Sequence, residues 1–343
     1  MANNDLNSAR KARKDEFYTQ LADIERELQY YWPHFRGKVV LCNCDDPYES
    51  NFFKYFAMRF NQLGLKKLIC TCYNGSPVQG KELVIRFNGY DGEPSKQAFK
   101  VEITEVKDLN GDGAVDLSDV QYLLQNDKNI LSLLKTGDFR DPECEELLRQ
   151  ADVVVTNPPF SLLREYLAQL VKHDKKFLII GNINAVTYKE VFPLITSNRL
   201  WLGPSITSGD RKFRVPKDYP LHAAGCGYDS DGTPYIRVKG VRWFTNLDHK
   251  KRHEPLDLVC HYSAEEYPVY DNYDAIEVSK VQDIPCDYDG VMGVPITFLD
   301  KYCPEQFVIV GNEYSLAIPK GRVYVKGKRL YGRILIRKKP LDL

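Results

Sequence analysis

Ala151-Asp-Val-Val-Val-Thr-Asn157-Pro158-Pro159-Phe160 is the stretch whose reading decides the fold. Val153, Val154 and Val155 are apolar without alternation, the pattern of a parallel strand buried on both faces. Two prolines cannot extend a strand ladder, so the chain leaves the sheet at its carboxyl edge. Ser161 is placed to N-cap a following helix over residues 162–171, whose apolar face is Leu163, Tyr166, Leu167 and Leu170. Open α/β sheets bind ligands at that edge.

An amide, a rigid backbone carbonyl and an aromatic ring delivered to such a crevice suit methylation of an exocyclic amine. The lone pair of an amine on an aromatic base is delocalised, which makes it a poor nucleophile. The Asn157 side-chain oxygen and the Pro158 carbonyl can each accept one N–H and turn the lone pair toward a methyl donor. Pro159 stiffens the turn, and Phe160 offers a face on which a base can stack once it has left its helix. Without that chemistry, the same residues read as a loop closing a strand, with Phe160 in the core.

Working outward, residues 38–44 and 67–72 are two further apolar strands, joined by a helix over 51–63, and form a right-handed βαβ unit. Leu21, Ile24, Leu28 and Tyr31 mark an amphipathic helix that stops before Pro33. Strands are predicted at 131–135, 152–156 and 176–180, with a helix at 142–150. Residues 235–238 and 241–245 suggest a hairpin around Lys239-Gly240. The stretch 74–130 is too long for a simple crossover and reads as an insertion, with an extra strand pair at 82–87 and 98–106. Beyond about residue 250 short strands alternate with Pro, Gly and Tyr. The expected fold is α/β, with a catalytic domain over 15–250 and a β-rich recognition region over 251–343.

The chain has 343 residues, 43% of them hydrophobic and 27% charged, as in a water-soluble globular protein. No run approaches the ~18 apolar residues of a membrane span, and the charged first thirty residues lack a signal-peptide core. Nine cysteines, an odd number, suit reduced thiols in the cytoplasm. Cys42-x-Cys44 and Cys70-x-Cys72 are poor zinc spacing and read as buried thiols on neighbouring strands.

Lys+Arg and Asp+Glu balance at 47 each, yet nine cations and no acid lie between Lys320 and Lys339, among them Lys326, Lys328 and Arg329. Lys250, Lys251 and Arg252 form a second cluster, and Arg211-Lys-Phe-Arg214 a third. Such clusters attract nucleic-acid phosphates or are simply solvated. His249 and His253 lack a third zinc ligand.

Asp108-Leu-Asn110-Gly-Asp112-Gly113-Ala114-Val-Asp116-Leu-Ser-Asp119 fits an EF-hand loop. Side-chain oxygens fall at positions 1, 3, 5, 9 and 12, with Gly113 at position 6 and the Ala114 carbonyl at position 7. It resembles dockerin-type calcium loops. Ca²⁺, Mg²⁺ or an empty turn leading into a short helix at 120–124 all remain open.

Asp15-Glu-Phe-Tyr-Thr-Gln20, Cys42-Asn-Cys-Asp-Asp-Pro47, Gly137-Asp-Phe139, Asn157-Pro-Pro-Phe160, Gly240-Val-Arg-Trp-Phe-Thr-Asn246 and Lys301-Tyr-Cys-Pro-Glu-Gln-Phe307 together resemble the EcoRI-type adenine-specific DNA methyltransferases. The resemblance implies a Rossmann-like fold that uses S-adenosylmethionine, with double-stranded DNA as partner and a companion restriction endonuclease. It implies that Tyr18 and Thr19 close over the methionine end of the cofactor. Cys44, Asp45, Asp46 and Pro47 would lie along its amino acid and ribose, and Asp138, with Phe139 beside it, would hold its adenine. The sequence departs from common cofactor-binding patterns in two places: the loop after the first strand lacks G-x-G, and the second strand ends without an acid. Cytosine-N4 or protein-glutamine methylation, a calcium-dependent interaction module and a catalytically silent DNA-binding protein are the competing readings.

Overall fold

The computed structural model describes residues 19–43, 50–72, 98–108, 118, 119, 122, 131–215, 219, 221, 225–313 and 322–340. The chain forms two compact units. One comprises Met1–Asn182 and Ser208–Leu247, the other Ile183–Thr207 and Asp248–Leu343. The second unit thus takes a segment from the middle of the chain that its position in the sequence does not announce.

In the first unit seven strands lie in the order β4-β3-β2-β1-β5-β6-β11. They are β1 (Val39–Asn43), β2 (Lys67–Cys72), β3 (Phe99–Ile103), β4 (Leu131–Leu133), β5 (Val153–Thr156), β6 (Lys176–Asn182) and β11 (Val241–Thr245). β2, β1, β5 and β6 run parallel. Every residue of β1 and β5 is buried, as their unbroken apolar character requires. Each such Val or Leu contributes about 1.5–3 kcal/mol on leaving water.

Helix Asn51–Met58 follows β1 and is capped by the Ser50 hydroxyl, which accepts from the Phe52 and Phe53 amides at 3.2 and 3.3 Å. The single helix expected to residue 63 breaks at Arg59 and resumes over Phe60–Leu63. Gly64, at φ +62, then ends it in the left-handed conformation. Helix Pro142–Gln150 starts on a proline, where no backbone N–H is needed. Helix Leu163–Lys172 buries Leu163, Tyr166, Leu167 and Leu170, the face expected from the sequence.

Three expectations are corrected. Ser161 does not cap that helix: residues Phe160–Leu162 form a 3₁₀ turn, and the cap position falls on Leu162, with no side-chain bond. The residues around Lys239-Gly240 form no hairpin. β11 pairs with β6, whereas β10 (Pro234–Lys239) pairs with β8 (Asp210–Arg214) and β9 (Gly227–Tyr228) in a separate three-stranded sheet. Gly240, at φ +71, lets the chain pass from one sheet to the other. Finally, β3 is integral to the main sheet. It runs antiparallel between β2 and β4, so the 74–130 stretch supplies a core strand as well as a loop; residues 82–87 lie outside the described residues.

The second unit contains β7 (Trp201–Leu202) and a five-stranded sheet ordered β12-β13-β14-β18-β15. Its strands are β12 (Val269–Tyr270), β13 (Tyr273–Glu277), β14 (Met292–Pro295), β15 (Phe307–Asn312) and β18 (Arg333–Lys338). A small ribbon, β16 (Tyr324–Val325) with β17 (Lys328–Arg329), completes it. Arg333 donates to the Glu277 carboxylate through Nε and Nη2, its Nη1 donates to the Tyr331 carbonyl, and Tyr270 donates to the same carboxylate. Gly293 has no side chain because the Tyr270 hydroxyl fills that space. No described helix is long and apolar enough to cross a membrane.

Candidate active site

The carboxyl ends of β2, β1 and β5 carry a row of buried polar residues, Thr71, Asn43 and Thr156. Register sets Thr71 beside Asn43, and the Thr156 hydroxyl donates to the Asn43 backbone carbonyl. Asn157 follows directly, 6% exposed, with Pro158 and Pro159 buried behind it. Polar side chains at the end of an apolar strand are expensive unless partnered or turned toward a ligand, so this row marks where the sheet stops being core.

Helix Leu163–Lys172 is locked to that edge. The Tyr166 hydroxyl donates to Asn43 Oδ1. The Phe139 ring packs edge-on against Tyr166 with centroids 5.0 Å apart, and Gln169 Nε2 donates to the Phe139 carbonyl at 2.8 Å. Two strand reversals, β2 to β3 and β3 to β4, leave β4 running in the direction of β1. The Gly137-Asp138-Phe139 loop therefore leaves the sheet on the same side as Asn157. Asp138 accepts from Arg140 Nε at 2.8 Å and from the second guanidinium nitrogen at 2.5 Å. Helix packing brings β6 very close: a Cβ on Gly181 would lie 2.7 Å from Leu163 Cδ2.

Thr19 sits at the start of helix Asn51–Met58, where its carbonyl accepts from Asn51 Nδ2 at 2.7 Å. Its hydroxyl is buried with no partner among the described residues, and the same is true of Thr71. A buried hydroxyl left so is costly, and both suit hydrogen bonding to a polar ligand. Tyr18, Cys44, Asp45, Asp46 and Pro47 lie outside the described residues.

Phe160 is half-buried, and its ring meets Phe213 edge-on at 6.4 Å between centroids. Phe213 was hidden in the sequence as the lone apolar residue of a basic cluster. Two of the cations around it are committed to acids. Lys212 pairs with Asp229, and Arg214 with Asp229 and Asp231. Asn43, Thr71 and Thr156 also escaped the sequence, because each is the unremarkable polar end of an apolar strand.

Of the second basic cluster, Lys250 and Lys251 are exposed, Lys251 within 2.9 Å of Glu254. Arg252 departs from the expectation. It is buried, its guanidinium lies 3.7 Å from the Trp201 ring centroid, and it donates to Asn198 Oδ1. Its Nε has no hydrogen-bond partner among the described residues but is buried out of a phosphate's reach. Lys326, Lys328 and Arg329 are all exposed. In the EF-hand-like stretch Asn110, Asp112, Ala114 and Asp116 lie outside the described residues, while Asp108 is exposed and Asp119 fully buried. The eight described cysteines are free thiols; burial pushes that of Cys144 up to about 12, so it stays protonated.

The family model for the EcoRI adenine-specific methyltransferases matches residues 5–339. The chain belongs to that family. It is therefore an adenine-specific methyltransferase. It is 48% identical to the type II methyltransferase M.EcoRI of Escherichia coli, over 98% of this chain and 97% of that protein. It is 37% identical to the type II methyltransferase M.MpnI of Mycoplasma pneumoniae, over 97% and 98% of the two chains. No solved structure matches.

Proposed function

We propose that this methyltransferase moves a methyl group from S-adenosylmethionine to N6 of an adenine flipped out of duplex DNA, as the modifying partner of a restriction endonuclease. The observation that carries the reading is the exit of Asn157-Pro158-Pro159-Phe160 from β5 directly beside the polar end of β1. The strand order β2-β1-β5-β6, all parallel, supports a Rossmann-like core.

In this reading Asn157 Oδ1 and the Pro158 carbonyl accept the two N–H groups of the target amine, Pro159 holds the turn, and Phe160 stacks on the base. S-adenosylmethionine supplies an electrophilic methyl group. The N6 lone pair forms the new bond as the methyl–sulfur bond breaks, its electron pair remaining with sulfur. The surplus proton on N6 then leaves to solvent. Acceptors fixed in advance stabilise the positive charge that develops on N6.

Tyr18, Thr19, Cys44, Asp45, Asp46 and Pro47 are assigned to the methionine and ribose side of the cofactor, with the unpartnered Thr71 hydroxyl a further donor there. Asp138, beside the buried Phe139, is assigned to the adenine amine through a charge-assisted bond. Asp108, Asn110, Asp112, Ala114, Asp116 and Asp119 are assigned to a structural Ca²⁺. Lys250 and Lys251, with Lys326, Lys328 and Arg329, are assigned to DNA; Arg252 is withdrawn from that set.

The test is incubation with cofactor labelled in its methyl group, with duplex DNA and total protein offered together. Label in N6-methyladenine supports the reading. Label in N4-methylcytosine or in protein glutamine overturns it.

A further inference from the structure

We infer that the β16–β17 ribbon is a pre-set finger that enters the major groove of duplex DNA and reads a base pair through Arg329. The inference rests on the proposed DNA substrate and names the element that would choose the sequence.

The ribbon turns through Lys326 and Gly327, at φ +50 and +72. Positive φ at both central residues is the tight two-residue turn that matches strand twist. A lysine there is strained, and the second unit holds it in place from outside. The Asp271 carboxylate accepts from the Lys326 amide at 3.0 Å and from the Gly327 amide at 2.7 Å. Its neighbour Asn272 accepts from the Tyr324 amide at 3.2 Å and donates to the Arg322 carbonyl at 2.7 Å. The Asp271 amide donates to the Tyr324 carbonyl at 2.8 Å. One dipeptide, at the turn between β12 and β13, therefore clamps both the base and the tip of the ribbon.

The ribbon is anchored from beneath as well. Val323 is fully buried with Tyr270, Ala275 and Leu335, and Val325 and Leu330 pack against that cluster. Lys326, Lys328 and Arg329 all face solvent. Tyr331 is 67% exposed, and the Arg329 guanidinium carbon lies 5.8 Å from its ring centroid.

A phosphate clamp needs only charge near the backbone and tolerates loose side chains. Base-edge hydrogen bonds need groups held to within about half an ångström by a supporting shell. The double clamp supplies such a shell, and nothing about a solvated loop calls for it. A two-stranded ribbon fits the major groove, about 12 Å wide, and arginine there pairs bidentately with guanine. Asp271 acts through the ribbon and is a positioning residue.

The test uses the full chain and maps N6-methyladenine by modified-base sequencing, on DNA carrying the preferred site and each of its single-base variants. Arg329→Ala is expected to lose discrimination at one base pair by between about 5-fold and 100-fold, through slower methylation of the preferred site relative to its variants, with cofactor affinity unchanged. Asp271→Ala is expected to relax the same position, with Asp271→Asn partly restoring it. Because Arg329 is exposed, its removal does not threaten the fold if Asp271→Ala fails to fold. Unchanged site preference in Arg329→Ala, with either a flatter salt dependence or no effect at all, would overturn the inference. A wild-type protein that methylates no DNA would remove the reading beneath it, and that result is separate from either variant.

Discussion

The Tyr166 hydroxyl donates to the side-chain oxygen of Asn43, joining the helix after Asn-Pro-Pro-Phe to the carboxyl end of β1. Both residues are buried. Tyr166→Phe leaves that oxygen without its donor, at a cost of about 1–3 kcal/mol. Urea denaturation of the variant is expected to show a lower midpoint with an unchanged slope. A midpoint equal to wild type would mean that the bond contributes nothing net.

Asn157→Ala removes one acceptor from a turn whose shape is set by Pro158 and Pro159. The fold and cofactor affinity are expected to survive, while turnover drops roughly 10²-fold or more. Single-turnover methyl transfer measures this, and wild-type rates from a folded variant would refute the assigned role.

Asp138→Ala is expected to weaken S-adenosylmethionine by about 1.5–3 kcal/mol, the range for a hydrogen bond to a charged group. The carboxylate already holds Arg140, so Arg140→Ala provides a second handle. It removes the guanidinium from Asp138, leaves the backbone amide donating to that carboxylate, and is expected to alter affinity far less. Titration calorimetry on both variants separates the two residues; equal losses would show that the pair matters and not the carboxylate.

His249 and His253 respond to acid in opposite senses. Burial holds the His249 imidazole down to about 4. The unfolded chain takes up that proton first, so stability falls as pH drops from about 6.5 toward 4 and then levels off, by roughly 3 kcal/mol. Hydrogen bonds from His253 to Asp248 and Glu305 raise its pKa, so its stabilisation is present below about 6.5 and fades as pH rises through the raised value. Denaturation across a pH series should therefore lose the part of its acid limb between about pH 6.5 and 4 in His249→Phe, while the carboxylates held below their usual range still weaken the fold at lower pH. If that part of the limb persists in the variant, the effect belongs to other groups.

If the Asp108–Asp119 loop binds Ca²⁺, chelation is expected to lower the melting temperature and added Ca²⁺ to restore it. Saturation at a hundred times Kd stabilises by about 2.7 kcal/mol. Asp108→Ala combined with Asp112→Ala should abolish the response while methyl transfer continues. A melting curve indifferent to chelator would reduce the loop to a turn.

Much of the first unit was legible because its strands are buried on both faces and its helices are strongly periodic. The face of helix Leu163–Lys172 and the span Pro142–Gln150 could both be read from spacing alone. What escaped depends on partners distant in sequence. Lys239-Gly240 looks like a hairpin turn because both flanks are strands, and nothing local says that β10 and β11 belong to different sheets. Arg252 reads as a phosphate ligand until Trp201 and Asn198 claim it. Phe213 reads as filler among cations until its ring meets Phe160.

The interleaving of the two units bears on how the chain is made. Three times, after Asn182, Thr207 and Leu247, the backbone passes from one unit to the other. As the chain emerges from the ribosome, the first unit has all its strands once β11 is out. Residues 183–207 emerge before that and must wait for almost a hundred residues still unmade. The second unit therefore assembles only after its own late strands, β12 to β18, have been made, and no cut at a single point in the gene separates the two units.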